Sequence, residues 1–318
     1  MTAPMVAGYA AVVCDLDGVV YRGGDAVPHA VESIAALDVP VLFATNNASR
    51  PAAGVAAHLR DLGIDCHTRD VATSAQAAAW LLSLELDQGA RVLAVGGEGV
   101  PEALQEAGLV PVSPSADGDD EVSAVAQGYG RGVTAADLAA AAYAVESGAR
   151  WYATNTDATL PTDRGLAPGN GSLVAAVATA VGRGPDVVAG KPESPLYELC
   201  AQRLGFDVDR VLAVGDRLDT DIAGAVAAGM DSLLVLTGVD DLESLLEAPE
   251  ANRPTYVSVD LRALHLSPDD AAEGNPSAAE LGEAVARAHA ALDRGASTAE
   301  VDRARQKARD VLGGGSPR

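Results

Sequence analysis

Short apolar segments alternate with longer Ala-rich segments along most of the chain. The apolar runs, which end in Gly, Asp or Asn or just before a polar residue, lie at residues 10–14, 39–44, 91–95, 187–189, 211–214 and 232–236. Runs without polar positions are typical of strands buried on both faces, as in a parallel sheet. Helical segments at 49–62, 73–83, 193–204 and 220–229 separate them. This alternation predicts an α/β fold with a doubly wound parallel sheet.

The middle of the chain has a different pattern. Gly/Pro/Asp-rich breaks at 111–121 and 162–171 interrupt helical segments and strand-like runs at 122–127 and 150–154. We interpret this region as a smaller α/β domain inserted into the first. The predicted domains are therefore a core at 1–86 and 187–266, an inserted domain at 87–186, and a linker with a helical tail at 267–318.

The tail is predicted to form one helical hairpin. Residues 267–276 form a polar, acidic linker, and the pairs Ser277/Glu280 and Ser297/Glu300 have the spacing of capping boxes. One helix face would carry Leu281, Val285, Ala288 and Leu292. We expect residues 313–318 to be frayed, and no motif in the tail indicates a function.

The charge of the chain limits its partners. The 318 residues include 45 acidic and 22 basic side chains, which give a formal net charge of −23. Such a surface repels nucleic-acid backbones and anionic lipid, so we predict neither as a partner. A site that binds an anionic substrate must then contain its own positive charge, from a metal, a lysine or helix N-termini.

Cysteine usage and apolar run lengths indicate the compartment. The three cysteines contain no CxxC pair, which argues against a disulfide framework and a structural zinc site. Neither a signal-peptide pattern nor an apolar run of about 18 residues is seen. We therefore predict a cytoplasmic protein.

Polar residues that follow the predicted strands are the candidates for chemistry, because ligands of such sheets bind at the carboxyl ends of strands. The first group follows residues 10–14 and contains Asp15, Asp17 and Gly18. Carboxylates two positions apart lie on the same side of a continuing strand, and they repel unless a cation joins them. The pair taken alone equally fits a loop with two solvated acids.

Two further groups carry hydroxyl, amide and ammonium side chains. Thr45, Asn46 and Asn47 stand between a strand and a helix, where a hydroxyl and exposed N–H groups can bind phosphate oxygens. An ordinary helix N-cap explains the same residues. Lys191 follows another strand and precedes Pro192, which suggests a fixed positive charge, although a solvated surface lysine is the common alternative.

The fourth group follows the apolar run at 211–214. Gly215 permits close backbone approach, and Asp216, Asp219 and Asp221 offer the oxygen ligands that hard cations prefer. An N-cap with first-turn acids that complement the helix dipole also fits, above all for Asp219 and Asp221.

The order of these four groups is more specific than any one of them. D-x-D-G, then a hydrophobic residue with (S/T)-N, then K-P, then G-D-x-x-x-T-D resembles the motif set of the haloacid dehalogenase (HAD) superfamily. The residues that carry this resemblance are Asp15, Asp17, Thr45, Lys191, Asp216 and Asp221. Segments 45–49, 153–157, 168–173, 190–192 and 215–222 look like the NagD/p-nitrophenylphosphatase branch, and 160–172 is most similar to actinobacterial glycerol-3-phosphate phosphatases. The resemblance covers residues 8–265.

The resemblance implies a fold and a phosphatase activity. The branch has a Rossmann-like core with a C2-type cap inserted between the second and third motifs, and it hydrolyses phosphomonoesters with Mg²⁺. Asp15 is then the nucleophile that forms an aspartyl-phosphate, and Asp17 is the general acid and base. Thr45 and Lys191 complete the catalytic set by binding the phosphoryl oxygens.

The resemblance also implies a metal site and the groups that bind the substrate. Mg²⁺ is expected on the carboxylates of Asp15 and Asp216 and the backbone carbonyl of Asp17, with Asp221 supporting this shell. The residues expected to bind the substrate are Gly18, Asn46 and Asn47 in the core, and Asn155, Asp157 and Leu160 in the cap.

The expected substrate is a small phosphorylated metabolite. The pyridoxal-phosphate members of the branch carry a His near the position of Leu160, and its absence favours a short polyol or hydroxy-acid phosphate. Glycerol 3-phosphate is the best candidate, with 2-phosphoglycolate and nucleotides as alternatives. A homodimer formed through the cap is compatible with the resemblance.

Two other functions compete with this one. A dehalogenase of the same superfamily would not need Asp17, because no alkoxide has to be protonated, and a phosphotransferase or mutase shares the motifs. A non-catalytic binding or regulatory protein on this scaffold would have no reason to contain Asp15, Asp17, Lys191 and Asp216 together.

Overall fold

The computed structural model describes residues 3–114, 121–162 and 164–314. Parts of the predicted breaks at 111–121 and 162–171, and most of the predicted frayed end at 313–318, therefore lie outside the described residues. The strands are β1 (Ala11–Cys14), β2 (Tyr21–Arg22), β3 (Asp25–Ala26), β4 (Val41–Thr45), β5 (Val71–Thr73), β6 (Arg91–Val95), β7 (Val110–Val112), β8 (Ala124–Gln127), β9 (Arg150–Ala153), β10 (Thr159–Thr162), β11 (Gly165–Pro168), β12 (Val187–Val188), β13 (Val211–Gly215), β14 (Asp231–Val235) and β15 (Tyr256–Ser258).

The helices alternate with the strands over most of the chain. They are α1 (Ala30–Ala35), α2 (Ala52–Asp61), α3 (Ser74–Glu85), α4 (Gly99–Glu106), α5 (Ala135–Glu146), α6 (Asn170–Val181), α7 (Pro195–Leu204), α8 (Ala223–Ala228), α9 (Leu242–Leu246), α10 (Ala278–Asp293) and α11 (Thr298–Gly314). No helix among the described residues is long and apolar enough to cross a membrane.

Two predicted helices begin elsewhere than expected. The helix predicted from residue 49 begins at Ala52, since Pro51 disfavours a helical conformation of the residue before it. The helix predicted over 220–229 is divided into a π-helical turn, Leu218–Ile222, and α8. π-helical turns are frequent at functional sites, and this one contains Asp221.

Parallel pairing dominates the sheets. The first sheet has the strand order β15-β14-β13-β1-β4-β5, and the second has the order β12-β9-β8-β6-β7. In the first sheet β1 pairs in parallel with β13 and β4, and β14 pairs in parallel with β13 and β15. The antiparallel pairs β2–β3 and β10–β11 are short hairpins. The predicted α/β fold with parallel sheets and flanking helices is confirmed.

The described residues form two compact units. Unit 1 takes its residues from Met1–Phe43, Leu59–Asp65 and Cys200–Arg318, and unit 2 from Ala44–His58 and Cys66–Leu199. The domain boundaries predicted from the sequence separate a catalytic core from a cap. They do not coincide with these two units, and they stay a prediction.

The second sheet, which lies in unit 2, is covered by helices on both of its faces. Alternate residues of β6, β8 and β9 point to opposite faces, as the period of a strand requires. Val92, Ala126 and Tyr152 pack with α3 and α4, whereas Leu93 and Trp151 pack with α5 and α6. These strands are apolar at nearly every position because each face is covered by helices.

The tail is an integral part of unit 1. Helices α10 and α11 pack on each other, and Leu281, Val285 and Ala288 are buried in one cluster with Leu245 of α9 and Val257 of β15. The predicted helical hairpin is thus present. Its predicted apolar face is correct for these three residues, whereas Leu292 is only half-buried and His289 and Ala291 are buried beside them.

The predicted N-cap of the first tail helix is present. The Ser277 hydroxyl accepts a hydrogen bond from the Glu280 backbone N–H at 3.2 Å, as an N-cap should. The side chain of Glu300 forms an ion pair with Arg294.

A buried histidine connects the tail to α9. Nε2 of His289 lies 2.7 Å from the backbone carbonyl oxygen of Leu245, so this nitrogen donates its hydrogen to the carbonyl. Burial lowers the pKa of His289, and nearby Arg253 and Arg305 act in the same direction, against Asp293 and the hydrogen bond to Leu245. The imidazole is therefore neutral in the folded protein at neutral pH.

The neutral state of His289 makes stability depend on pH. In the unfolded chain the imidazole takes up a proton below its ordinary pKa of about 6.5, whereas the folded state resists protonation. The free energy of unfolding should therefore fall from pH 7 to pH 5.5 more steeply in the wild type than in His289→Gln, which keeps a donor towards Leu245. Denaturant titrations at both pH values measure this difference, and equal slopes would show that His289 is not the responsible group.

Candidate active site

The acidic candidates of unit 1 follow neighbouring strands of the first sheet. Asp15 comes directly after β1, and Asp216 comes directly after β13, which pairs with β1 so that Cys14 lies opposite Val214. The carboxyl ends of parallel strands meet at one edge of a sheet. The Asp15 backbone N–H still donates to the carbonyl of Val214 at 2.9 Å, so the ladder reaches the first acid.

Three carboxylates meet at this edge. Within the described part of the chain, oxygens of Asp15, Asp216 and Asp221 lie within 4.8 Å of one another. Asp216 and Asp221 are buried, and Asp15 is half-buried. Buried like charges at this spacing repel strongly unless a cation lies among them. Their hard oxygen donors fit Mg²⁺ or Ca²⁺ by chemistry.

Asp221 is fixed by the loop that carries Asp216. Its Oδ2 accepts hydrogen bonds from the backbone N–H groups of Asp216 at 3.3 Å and Arg217 at 3.1 Å. A Cβ atom at Gly215 would overlap the Asp221 side chain. One oxygen of Asp221 thus orients the loop, which supports its predicted role behind the metal shell; that role stays a prediction.

A segment that the sequence analysis missed holds Asp216 in place. The Val239 backbone N–H donates to Oδ2 of Asp216 at 2.7 Å, and the Asp240 backbone N–H donates to the Asp216 carbonyl oxygen at 3.1 Å. The Asp240 carboxylate in turn accepts from the backbone N–H of Leu218 at 2.7 Å. The segment of residues 237–240, which we call the β14 loop, therefore clamps the loop after β13.

Two glycines make room for the Asp216 carboxylate. A Cβ atom at Gly18 or at Gly238 would overlap this carboxylate. Gly18 also has a φ of +88°, a conformation that other residues rarely adopt. The hydroxyl of Thr237 donates to the Gly18 carbonyl oxygen at 2.8 Å and so fixes this turn to the β14 loop.

Asp17 differs from the other acids because its side chain is exposed. It lies in a tight turn in which the Gly18 backbone N–H donates to the carbonyl oxygen of Tyr21 at 2.8 Å. An exposed carboxyl group can exchange protons with water. The expected use of its backbone carbonyl as a metal ligand stays a prediction.

The remaining candidates belong to unit 2, where most of them form one hydrogen-bonded network. Lys191 is buried, its Nζ donates to the Ala44 carbonyl oxygen at 3.3 Å, and its backbone is bound by the side chain of Asn46. Asn155 is buried, and its Nδ2 donates to the Asn46 carbonyl oxygen at 2.7 Å. Asp157 is half-buried, and its carboxylate accepts from Nδ2 of Asn46.

Thr45 and Asn47 shape the segment that leads to α2. The buried Thr45 hydroxyl accepts from the backbone N–H of Asn47 at 3.1 Å. The exposed Asn47 accepts from the backbone N–H of Ser49 at 3.0 Å and from the Ser49 hydroxyl. Leu160 is half-buried on β10, opposite Ala167 in the hairpin. The roles predicted for these residues towards the substrate stay predictions.

The missed residues left a weaker signal in the sequence. The strand before the β14 loop was predicted, and Thr237, Gly238 and Asp240 follow it as polar or small residues at a strand end. Only the three-dimensional structure shows that this strand end lies beside Asp216.

Comparison with protein families identifies two matching segments. A model described as haloacid dehalogenase-like hydrolase matches residues 12–110, and a HAD-hydrolase-like model matches residues 188–264. The two segments contain all four motif groups.

Individual relatives agree with this match. A D-glycerol 3-phosphate phosphatase of Mycobacterium tuberculosis is 49% identical over 254 residues, which cover 80% of this chain and 70% of the relative. An acid sugar phosphatase of Staphylococcus aureus is 39% identical over 256 residues, covering 80% of this chain and 95% of the relative.

Solved structures show the same similarity. The crystal structure of a glycerol phosphate phosphatase from M. tuberculosis in complex with magnesium has a TM-score of 0.79 and 46% identity, covering 84% of this chain and 79% of that chain. A p-nitrophenyl phosphatase from Archaeoglobus fulgidus has a TM-score of 0.73 and 31% identity, covering 80% and 98%. The resemblance to the p-nitrophenylphosphatase branch is thereby confirmed, and the chain belongs to the haloacid dehalogenase-like hydrolase family.

Proposed function

We propose that this chain hydrolyses glycerol 3-phosphate with Mg²⁺ through an aspartyl-phosphate on Asp15. The chain is a HAD-type phosphatase, as its named relatives are. The observation that carries the proposal is the group of carboxylates of Asp15, Asp216 and Asp221 within 4.8 Å. Such a group fits an enzyme that binds a divalent cation beside a carboxylate nucleophile.

The carboxylates at the ends of β1 and β13 would hold the Mg²⁺ ion. When bound, it offsets the repulsion between an anionic nucleophile and an anionic phosphate. Asp216 is suited to hold it because the Val239 N–H binds its carboxylate, the Asp240 N–H binds its backbone carbonyl, and two glycines leave space for the carboxylate. Asp15 and Asp216 are the proposed side-chain ligands, with the carbonyl of Asp17 beside them and Asp221 behind them.

The proposed reaction has two steps at phosphorus. An oxygen of Asp15 attacks the phosphoryl group while the bond to the substrate oxygen breaks, and Asp17 gives the leaving alkoxide its proton. Asp17, now a carboxylate, then takes a proton from water that attacks the aspartyl-phosphate, which releases inorganic phosphate and restores Asp15. The exposure of the Asp17 side chain allows it to exchange its proton between turnovers.

The family's motif set gives Thr45 and Lys191 the task of binding the phosphoryl oxygens. A buried ammonium group and a buried hydroxyl at a strand end are suited to it, because negative charge grows on those oxygens in the transition state. The N–H group of Asn46 is the proposed backbone donor, because those of Gly18 and Asn47 already donate to the Tyr21 carbonyl and the Thr45 hydroxyl. Asn155, Asp157 and Leu160 are proposed to lie on the side of the leaving group.

Glycerol 3-phosphate is the proposed substrate for two reasons. A relative named for this activity is 49% identical over 80% of the chain. Leu160 offers an aliphatic, half-buried side chain where the pyridoxal-phosphate enzymes of the branch carry a His. A cytoplasmic location and a homodimer formed through the cap accompany this proposal as predictions.

A substrate comparison tests the proposal. Phosphate release should require Mg²⁺, stop with EDTA, and show a kcat/KM for glycerol 3-phosphate at least about tenfold above those for 2-phosphoglycolate, a sugar phosphate and a nucleoside monophosphate. Asp15→Asn should lower kcat by several orders of magnitude and keep the melting temperature within a few degrees, because an amide does not attack phosphorus. A variant that retains a tenth of the wild-type rate contradicts the nucleophile assignment, and another preferred substrate contradicts the substrate assignment alone.

The role of Asp17 predicts a dependence on the leaving group. Asp17→Asn should lower kcat for glycerol 3-phosphate by about a hundredfold or more, the usual range for a lost general acid. With p-nitrophenyl phosphate the loss in the first step should be much smaller, since a nitrophenolate leaves without a proton. Burst kinetics separate the two steps. Equal losses of the first step with both substrates would mean that Asp17 is not the general acid.

The glycine beside Asp216 predicts an effect on metal binding. Gly238→Ala introduces a methyl group into the space of the Asp216 carboxylate and should weaken Mg²⁺ binding by about tenfold or more, an effect of roughly 1.4 kcal/mol. The matched control is Gly282→Ala, on α10, where an added Cβ meets no atom within 4 Å. Calorimetric titration with Mg²⁺ measures both variants, and equal affinities would show that Asp216 is not a ligand.

A further inference from the structure

The side-chain amide of Asn46 binds both backbone polar groups of Lys191. Oδ1 of Asn46 accepts from the Lys191 N–H at 2.8 Å, and Nδ2 of Asn46 donates to the Lys191 carbonyl oxygen at 2.9 Å. The two residues are 145 positions apart in sequence. A paired amide contact of this kind fixes the backbone of Lys191 in direction as well as in position, because both bonds must be aligned at once.

Gly190 leaves space for this amide because it has no side chain. A Cβ atom at Gly190 would lie 2.6 Å from Oδ1 of Asn46 and 2.6 Å from the carbonyl oxygen of Thr154. Real Cβ atoms do not approach so closely, and the carbonyl cannot move without moving the strand that precedes it. The absence of a side chain at Gly190 is thus explained by the position of the Asn46 amide.

The backbone of Asn46 is held from the other side. Its carbonyl oxygen accepts from the Ser74 hydroxyl at 2.7 Å and from Nδ2 of Asn155 at 2.7 Å. Two hydrogen bonds saturate a carbonyl oxygen. Asn46 therefore connects α3 and the segment after β9 to the backbone of Lys191, so that a shift of either element would displace that backbone.

Asp157 joins the same amide. Nδ2 of Asn46, which has two hydrogens, also faces the Asp157 carboxylate, with distances of 3.2 Å to Oδ2 and 3.4 Å to Oδ1. Asp157 is itself placed by Asn155, whose Oδ1 accepts from the Asp157 backbone N–H at 3.2 Å. The segment predicted to face the leaving group is thus connected through one amide to the backbone of the lysine.

We propose that Asn46 is a positioning residue for Lys191. Through its side-chain amide, the position of the Lys191 backbone depends on the conformation of the Asn155/Asp157 segment. This inference rests on the proposed function, in which the Lys191 ammonium stabilises the transferring phosphoryl group. The ammonium group of a lysine lies at the end of a flexible four-carbon chain. A fixed backbone is therefore needed to place it reproducibly. The side chain of Asn46 acts on Lys191, while its backbone N–H remains the donor proposed for the substrate.

The first experiment does not depend on activity. The chain contains two lysines, Lys191 and the exposed Lys307 of α11, so that ¹⁵N-lysine labelling produces two backbone amide signals. In Asn46→Ala the Lys191 amide should shift upfield and exchange with solvent at least about tenfold faster, because its acceptor is lost. The Lys307 amide should not change.

Two further variants sharpen this measurement. Gly190→Ala displaces the same amide by sterics and should speed solvent exchange of the Lys191 amide in the same way, so that the proposal can still be tested if Asn46→Ala folds poorly; the exchange rate is the readout here, because a substitution next to Lys191 shifts its signal directly. The matched control is Asn275→Ala, which removes a half-buried amide that donates to the Asp260 carboxylate at 2.9 Å in unit 1. It should leave the Lys191 signal and the activity unchanged.

The second experiment is a double-mutant cycle on activity. Asn46→Ala in the wild type should lower kcat by about thirtyfold with a smaller change in KM, and in the Lys191→Ala background the same substitution should cost less than about threefold. A residue that acts only on stability would lower the melting temperature and show equal losses in both backgrounds. Asp157→Ala should show a weaker coupling of the same sign.

The outcomes separate this inference from the proposed function. An unchanged Lys191 amide in Asn46→Ala, or equal losses in both backgrounds, overturns the positioning role even if the enzyme hydrolyses glycerol 3-phosphate. If the wild type shows no Mg²⁺-dependent phosphatase activity while the Lys191 amide responds as expected, the proposed function fails and the hydrogen-bonded coupling of Asn46 to Lys191 stands.

Discussion

Repulsion between closely spaced carboxylates is the constraint on which the arrangement at this end of the first sheet depends. Asp15, Asp216 and Asp221 bring their oxygens within 4.8 Å at the end of β1 and β13, where little water can screen them. A chain that places these charges together must hold each one by other means until a cation compensates them. Backbone N–H groups bind Asp216 and Asp221, and glycines at 18 and 238 leave the space that the Asp216 carboxylate occupies.

Unit 2 also contains a buried charged residue, and a neutral amide holds it in position. Its buried cation, Lys191, is fixed through its backbone by the Asn46 amide, and Gly190 leaves the space for that amide. In both units a charged residue is held by hydrogen bonds from a second segment, and a glycine allows the close approach. Preorganised charges of this kind do not have to reorient during a reaction, which is the main electrostatic advantage of an enzyme site over water.

The helical tail of unit 1 packs against the π-helical turn that contains Asp221. Leu218 and Ile222, at the two ends of the π-helical turn that contains Asp221, share a buried cluster with α9 and with Leu281 of the tail. Pairs such as Arg309 with Glu243 and Arg253 with Asp293 lie at the surface of this contact, where ion pairs contribute little to stability. Apolar burial is therefore the main force that holds the tail against the turn.

Local pattern was sufficient for most of the elements and for the motif residues, although β5, β7 and β15 were not among the predicted strands. Apolar runs and Ala-rich segments predicted most of the longer strands and helices within a few residues. This works because the spacing of apolar residues in a short segment reflects its secondary structure and its burial. The same patterns predicted the parallel α/β class and the acids that end β1 and β13. They also predicted the tail hairpin, including the buried Leu281, Val285 and Ala288, from spacing alone.

Contacts between distant segments were decided only by the tertiary structure. The β14 loop clamps Asp216 because β14 happens to be the neighbour of β13 in the sheet, and strand order is not encoded in any one segment. The amide of Asn46 was expected near the substrate, and its bonds to Lys191 join residues 145 positions apart. The sequence by itself determined which residues are the candidates for the chemistry, whereas packing decided which neighbours orient them, because orientation depends on hydrogen bonds between segments that meet only in the folded chain.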